Sequence, residues 1–222
     1  MALNDEFLID ARNRMVDSQI RPNKVSDPRI LDAMRHLPRE RFIPAASLAL
    51  AYADQNVPLA GGRILLQPMV LARLLQAAMP LKGEKALIVG SGTGYSAALL
   101  AALGCEVTAL EQPGPLLDLA KQALVTTAST VTLVSGPLPS GWTAGAPYDL
   151  ILIDGAVPAV PVSLATQLKG DNGRLVTIVR EGAHSGHAAL AEPTPAGVSV
   201  RALFDCLCPV LPGFAAAPVF EF

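Results

Sequence analysis

The sequence has little cysteine, histidine, aromatic residue or net charge. Its 222 residues include three cysteines and three histidines, aromatic residues make up 5%, and the formal net charge is −2. Three cysteines cannot form a disulfide framework, and with no His/Cys cluster we predict no metal site. The sequence also lacks a basic block for nucleic acid, a signal peptide and an uninterrupted membrane-spanning run. These absences predict a cytoplasmic protein that binds neither nucleic acid nor membrane.

Strands and helices alternate through the second part of the chain. The run Ala86 to Val89 is wholly apolar, which is typical of a parallel strand buried on both faces. Strands are predicted at residues 85–89, 105–110, 130–134, 148–153 and 173–179, and helices at 94–103, 114–126 and 160–169. Such alternation predicts an α/β fold with a mostly parallel, doubly wound, Rossmann-like sheet.

The two ends of the chain show other patterns. Residues 1–80 are predicted to form a helical cap with substrate-side loops, in the same domain as a core over residues 81–222. The cap is expected to contain helices at residues 5–20, 27–37 and 69–79, with ordered loop at 38–66. After Gly182 we expect loops, one alternating strand at 198–207 and a last short strand at 218–222.

The most informative segment is the glycine-rich turn after the first strand of the sheet, Gly90-Ser91-Gly92-Thr93-Gly94. Glycines let the backbone pass close to a ligand, and the helix start that follows favours an anion. Glu111 ends the next strand, where a carboxylate can accept both hydroxyls of a ribose. The spacing is G-x-G-x-G, with Tyr95 where dinucleotide enzymes carry a third glycine, so it favours S-adenosyl-L-methionine (SAM) over a dinucleotide. The predicted cofactor contacts are Gly90, Ser91, Gly92, Gly94, Tyr95 and Glu111.

Further segments match, in order and spacing, the motifs of a known family. They are LPRERFIP from Leu37 to Pro44, AYAD from Ala51 to Asp54, Gln67-Pro68, LIVGSGTGY from Leu87 to Tyr95, Gln167 to Lys169 and GRLV from Gly173 to Val176. Through them the chain resembles the protein-L-isoaspartate O-methyltransferase family from about residue 15 to about residue 180.

The resemblance implies a Rossmann-like enzyme that uses SAM to methylate isoaspartyl carboxylates in damaged peptides or proteins. This chemistry requires a carboxylate in line with the methyl donor and a site that excludes water. It needs no strong base, because the carboxylate is already ionised at neutral pH. The family builds its peptide site in this part of the chain, so we expect Tyr52 to Asp54 and Gln67-Pro68 to fold over the cofactor as a lid.

Three residues depart from the family pattern. Leu66 stands where the family carries a serine next to the reacting carboxylate, so Leu66 and Gln67 mark the catalytic position. Ile88 replaces a glutamate that helps to orient the methionine end of the cofactor, and Pro137 replaces an acidic residue that meets the adenine. These departures predict weakened cofactor binding and reduced repair activity.

Asp154, at the end of the fourth strand, is the remaining candidate site residue. It either replaces a lost cofactor contact or caps a loop. Two alternative functions stay open. One is a SAM-dependent O-methyltransferase for an unknown small substrate, with Asp154 as base or metal ligand. The other is a non-catalytic binding module that has lost the cofactor.

Overall fold

The computed structural model describes residues 5–180, 182 and 185–214. Its helices are α1 (Asp5–Met15), α2 (Pro28–His36), α3 (Pro68–Ala78), α4 (Tyr95–Ala102), α5 (Pro115–Thr127) and α6 (Val162–Ala165). Its strands are β1 (Val57–Pro58), β2 (Ile64–Leu65), β3 (Lys85–Val89), β4 (Glu106–Glu111), β5 (Thr132–Ser135), β6 (Leu150–Val157), β7 (Arg174–Val179), β8 (His187–Thr194) and β9 (Gly197–Asp205). None of the helices in these ranges is long and apolar enough to cross a membrane.

Seven of the strands form one sheet in the order β5-β4-β3-β6-β7-β8-β9. The first five strands in that order pair in parallel, and β8 and β9 add an antiparallel edge. The chain starts in the middle with β3, runs outward through β4 and β5, and then returns to the other side of β3 with β6. Strand order therefore reverses between β3 and β6, and in such sheets ligands bind at the carboxyl ends beside the reversal.

The central strands are buried on both faces, as their unbroken apolar sequences predict. In β3, Ala86 and Ile88 pack in the larger hydrophobic cluster, whereas Leu87 and Val89 pack in a smaller cluster on the opposite face. Side chains alternate between the faces of a strand, so an unbroken apolar run is the pattern expected of a strand covered twice. The mostly parallel α/β fold predicted from the sequence is confirmed.

The first part of the chain packs onto the larger cluster, to which residues of α1, α2, α3 and β3 all contribute. α2 begins as predicted, because the Asp27 side chain accepts a hydrogen bond from the Arg29 amide at 2.9 Å and Pro28 occupies the first turn. α3 likewise begins with Pro68 at its first position. The division at residue 80 stays a prediction.

The helix expected at residues 5–20 is present as α1 followed by a π-helical turn at Val16–Ile20. Other local expectations were wrong. The helix expected at 160–169 is only Val162–Ala165. The ladder of β1 with β2 and the strand β8 were both missed, because β1 and β2 are two residues each and β8 lies in a segment rich in alanine and proline. The last strand expected, at 218–222, lies outside the described residues.

Candidate active site

The glycine-rich turn lies at the carboxyl end of β3, beside the reversal of strand order. Gly90, Gly92 and Gly94 have φ angles of +74°, +56° and +94°, in the left-handed region that glycine adopts without steric cost. The amides of Gly90 and Ser91 donate to the Leu110 carbonyl at 2.9 and 3.1 Å, which fixes the turn against β4. The turn is therefore shaped by its glycines and held by the neighbouring strand.

Glu111, at the end of β4, is 1% exposed and bound from several sides. Its Oε2 accepts the Gly92 amide at 2.6 Å, and its Oε1 accepts the Gln112 amide at 2.8 Å. Arg63 donates to the same Oε1 from Nη1 at 2.9 Å and to the Gly90 carbonyl from Nη2 at 2.7 Å. The structure thus brings Glu111 to the turn, as predicted, and adds a buried arginine that the sequence did not reveal.

Asp154 projects from β6 at the same edge of the sheet and is 6% exposed. Its Oδ2 accepts a hydrogen bond from Ser96 Oγ at 2.5 Å. Burial raises the pKa of this carboxyl to about 6, although the Ser96 hydrogen bond and the positive charge of Arg63 act in the opposite direction. Asp154 therefore lies among the site residues, and its ionisation falls close to neutral pH.

Three buried polar atoms at this edge have no hydrogen-bond partner among the described residues. They are Ser91 Oγ and Thr93 Oγ1 in the turn, and Asp154 Oδ1. Buried polar atoms are nearly always paired in folded proteins, so a group of unpaired ones indicates a place for a polar ligand or water.

A leucine from the last described segment closes the gap between the turn and β6. Leu211 donates its amide to the Ala156 carbonyl at 2.8 Å and is 3% exposed. A Cβ atom added to Gly90 would lie 3.0 Å from Leu211 Cδ1, and one added to Gly155 would lie 2.6 Å from Leu211 Cγ. Gly155 follows Asp154 because only a residue without a side chain leaves room for Leu211.

Arg39, from the first family-like motif, is a fully buried cation beneath the site. Its Nε donates to the Ala51 carbonyl at 2.9 Å and its Nη2 donates to the Leu66 carbonyl at 2.7 Å. Its guanidinium also lies 4.8 Å from the ring centroid of Tyr95. Burial lowers the pKa of the guanidinium, and the nearby Tyr95 acts in the opposite direction. One side chain thus joins the loops before Tyr52 and Gln67 to the first residue of α4.

Tyr95 was predicted to contact the cofactor, but its ring is fully buried between Arg39 and Phe42. The Phe42 and Tyr95 rings meet edge to face, with centroids 5.4 Å apart. The structure therefore shows a packing role for this ring. A cofactor contact by Tyr95 stays a prediction.

The predicted lid residues lie near the site but are bound to one another. Gln67 Nε2 donates to Asp54 Oδ1 at 2.7 Å, and the Gln67 amide donates to Asn56 Oδ1 at 2.9 Å. The Leu66 side chain is 1% exposed and packs in the larger cluster, so it presents no open apolar surface to a substrate. Between the two predicted lid segments, Leu59 and Arg63 reach the turn directly.

No group of three or more metal-binding side chains occurs among the described residues, a statement that does not cover His184. The described residues around Asp154 therefore give no support to the alternative in which Asp154 binds a metal ion.

Comparison with known proteins gives a consistent result. The model of the family named protein-L-isoaspartate(D-aspartate) O-methyltransferase matches residues 10–198. A protein-L-isoaspartate O-methyltransferase of Methylorubrum extorquens (strain PA1) is 40% identical over 167 residues, which are 75% of this chain and 73% of that protein. Protein-L-isoaspartate O-methyltransferase 1 of Rhodopseudomonas palustris (strain HaA2) is 42% identical over 166 residues, 74% of this chain and 67% of that protein.

Solved structures support the fold. A structure named protein-L-isoaspartate O-methyltransferase superposes with a TM-score of 0.78 at 24% identity, and the match covers 91% of this chain and 66% of that one. A Plasmodium falciparum protein described as a beta-aspartate methyltransferase, solved with S-adenosyl-L-homocysteine, superposes with a TM-score of 0.76 at 19% identity. That match covers 90% of this chain and 96% of the Plasmodium chain.

We predict that Arg39→Met destabilises the fold, whereas Arg41→Met does not. The first substitution leaves the buried Ala51 and Leu66 carbonyls without their donor, which should cost about 2–5 kcal/mol of unfolding free energy. Arg41 lies in the same short 3-10 helix, Arg39–Phe42, but is exposed, so its loss should cost less than about 0.5 kcal/mol. Urea denaturation measures both; equal values for the two variants would contradict a structural role for Arg39.

We predict that Asp154→Asn stabilises the fold at neutral pH. Because the folded-state pKa is raised from 3.8 to about 6, the native state holds this proton more tightly than the unfolded state. The stability due to this group is therefore present below about pH 4 and is lost as the pH rises to about 6. Removing the charge should raise the unfolding free energy near pH 7 by at most about 3 kcal/mol.

The matched control is Asp149→Asn. Burial raises the pKa of Asp149, but the hydrogen bond from Lys169 and further contacts outweigh burial and lower it overall. Removing this charge should therefore destabilise the fold near pH 7. Urea titrations between about pH 4 and pH 8 compare the wild type with Asp154→Asn and Asp149→Asn. A loss of stability in Asp154→Asn at neutral pH would refute the raised pKa of Asp154.

Proposed function

The chain belongs to the protein-L-isoaspartate O-methyltransferase family, and we propose that it methylates isoaspartyl carboxylates in peptides and proteins with SAM as the methyl donor. The family model matches residues 10–198, which is most of the chain. The observation that carries the proposal is the position of Glu111 against the Gly92 amide, at the carboxyl edge where strand order reverses.

The residues at this edge fit the chemistry of SAM. Glu111 offers carboxylate oxygens suited to the ribose hydroxyls. Asp154 Oδ1 is a buried acceptor without a partner among the described residues, which suits the amino group of the methionine moiety. Ser91 Oγ and Thr93 Oγ1 are further unpaired polar atoms in the turn and suit its carboxylate. Arg63 and Leu211 fill part of the same space, so these side chains must shift before a ligand enters.

When bound, SAM supplies an electrophilic methyl group. The substrate carboxylate is ionised at neutral pH, so the chain needs no general base and contributes by positioning and by excluding water. We assign Glu111 and Asp154 to holding the cofactor. We assign Gln67 and Asp54, which join two loops at the surface, to contact with the peptide. Arg39 holds these loops against the turn from below.

Two finer parts of the proposal concern biological role and compartment. Methylation of isoaspartyl residues would serve protein repair. We place this role in the reducing environment of the cytoplasm, which is supported by the free cysteines Cys105, Cys206 and Cys208.

The direct test is a methyl-transfer assay with an isoaspartyl peptide and the same peptide with an ordinary aspartyl residue. We expect transfer only to the isoaspartyl peptide, with base-labile methyl ester as product. No transfer to either peptide, in a protein that binds S-adenosyl-L-homocysteine, would leave the cofactor assignment intact and refute the substrate.

We predict that Glu111→Ala weakens the binding of S-adenosyl-L-homocysteine by about tenfold or more, because the ribose hydroxyls lose a charged acceptor. Calorimetric titration measures this. Glu106→Ala is the matched control, since Glu106 is an exposed glutamate at the opposite end of the same strand. Equal affinities for the two variants would remove Glu111 from the cofactor site.

We also predict that a serine hydroxyl at position 66 raises turnover above that of alanine at the same position. Because Leu66 is buried, Leu66→Ala and Leu66→Ser should both cost about 2–5 kcal/mol of stability, and comparing these two variants isolates the hydroxyl group. If the hydroxyl helps to hold the reacting carboxylate, the serine variant should turn over about tenfold faster than the alanine variant, per folded molecule. Equal rates for the two variants would show that the enzyme tolerates the absence of the family's serine at position 66.

A further inference from the structure

Arg63 binds the carboxylate of Glu111, the group assigned above to the ribose. Its side chain is 6% exposed, and its guanidinium joins Glu111 Oε1 at 2.9 Å to the Gly90 carbonyl at 2.7 Å. A Cβ atom added to Gly90 would lie 3.1 Å from Arg63 Nη2, so the guanidinium lies directly against the glycine turn. The two groups that define the cofactor site are therefore bound by a side chain of the protein.

The Glu111 carboxylate has little acceptor capacity left. Oε2 is bound by the Gly92 amide, and Oε1 is bound by both the Gln112 amide and Arg63. The two amides belong to the backbone of the glycine turn and of the residue after β4, whereas Arg63 contributes a side chain. Of these donors, Arg63 is the one that can be exchanged for a ribose hydroxyl without rebuilding the turn or the end of β4.

The space beside this ion pair is also limited. A cavity of about 150 Å³ is lined by Ala60, Gly61, Arg63, Glu111 and the start of α5. Ligand pockets usually measure ~300–1,000 Å³. Because Arg63 forms one wall, its withdrawal would both enlarge the cavity and free the carboxylate.

Arg63 directly follows the tip of the hairpin that joins β1 to β2, whose ladder pairs Val57 with Leu65 and Pro58 with Ile64. Its carbonyl accepts the Leu59 amide at 2.8 Å and its amide donates to the Ala60 carbonyl at 3.3 Å, so the side chain is what would have to move. Gly61 and Gly62 precede Arg63, have φ angles of +66° and +70°, and have no atom within 4 Å of an added Cβ. The tip of the hairpin is exposed, while its arginine reaches inward.

We propose that Arg63 determines the affinity of this chain for its cofactor by competing with the ribose for Glu111. The proposal rests on the proposed function, since it assumes that SAM binds at this turn. In the ligand-free protein the guanidinium neutralises a buried carboxylate, which would be costly to leave unpaired. Cofactor binding must then displace Arg63. The apparent affinity equals the intrinsic affinity multiplied by the fraction of molecules in which Arg63 has already left Glu111, so a small fraction means weak apparent binding.

The test is a calorimetric titration of S-adenosyl-L-homocysteine into the wild type and Arg63→Met. Methionine keeps an apolar side chain of similar reach and removes the guanidinium. A competent state populated at ~0.1–10% predicts a gain in affinity of about tenfold or more in the variant. Arg41→Met, which removes an exposed arginine that contacts Thr126, should bind as the wild type does.

Arg63→Lys provides a second variant should Arg63→Met fail to fold. Lysine keeps the charge but lacks the planar fork that spans Glu111 and Gly90, so its affinity should lie between those of the wild type and Arg63→Met. If the wild type binds S-adenosyl-L-homocysteine and the soluble Arg63 variants bind it equally or more weakly, Arg63 does not compete with the ribose. That result would leave the proposed function standing. Absence of binding in the wild type and in every variant at millimolar ligand would overturn both.

Discussion

The arrangement of the site depends on one buried cation, Arg39. A guanidinium without solvent must be given acceptors by the chain, and here they are the carbonyls of Ala51 and Leu66, 12 and 27 residues away. These hydrogen bonds bring two loops together above the Tyr95 ring, directly after the glycine turn. Because removing any one partner would leave a buried charge or carbonyl unpaired, the loops and the start of α4 are constrained as a unit.

The fold and the glycine turn could be predicted from the sequence because both depend on local patterns. An apolar run such as β3 is compatible with few positions other than the centre of a parallel sheet. The three glycines and Glu111 are recognised by their spacing along one strand–turn–helix unit. Short elements were less predictable: β1 and β2 are two residues each, and their pairing is decided by tertiary contacts with little local signal.

The residues that close the site could not be predicted, because their partners lie far away in the sequence. Arg63 is 48 residues from Glu111, and nothing in its own segment distinguishes it from a solvent-exposed arginine. Leu211 follows the same rule, since only the structure brings it against Gly90 and Gly155. Leu66 illustrates a second limit of prediction from the sequence. Its motif position predicts a side chain next to the reacting carboxylate, and only the packing shows that this side chain is buried.

The two carboxylates at the carboxyl edge are stabilised in different ways, and the difference bears on ligand binding. Glu111 is compensated by two amides and Arg63, so the ligand-free fold is satisfied there and a ligand must compete. Asp154 has one compensating hydroxyl and an unpaired oxygen, so the fold is left with a cost that a cationic ligand group would relieve. Local departures from a fully satisfied core tend to mark functional positions. Under the proposed assignments, Asp154 would favour occupancy of the crevice and Arg63 would oppose it, so the balance between them would set how readily this chain takes up its cofactor.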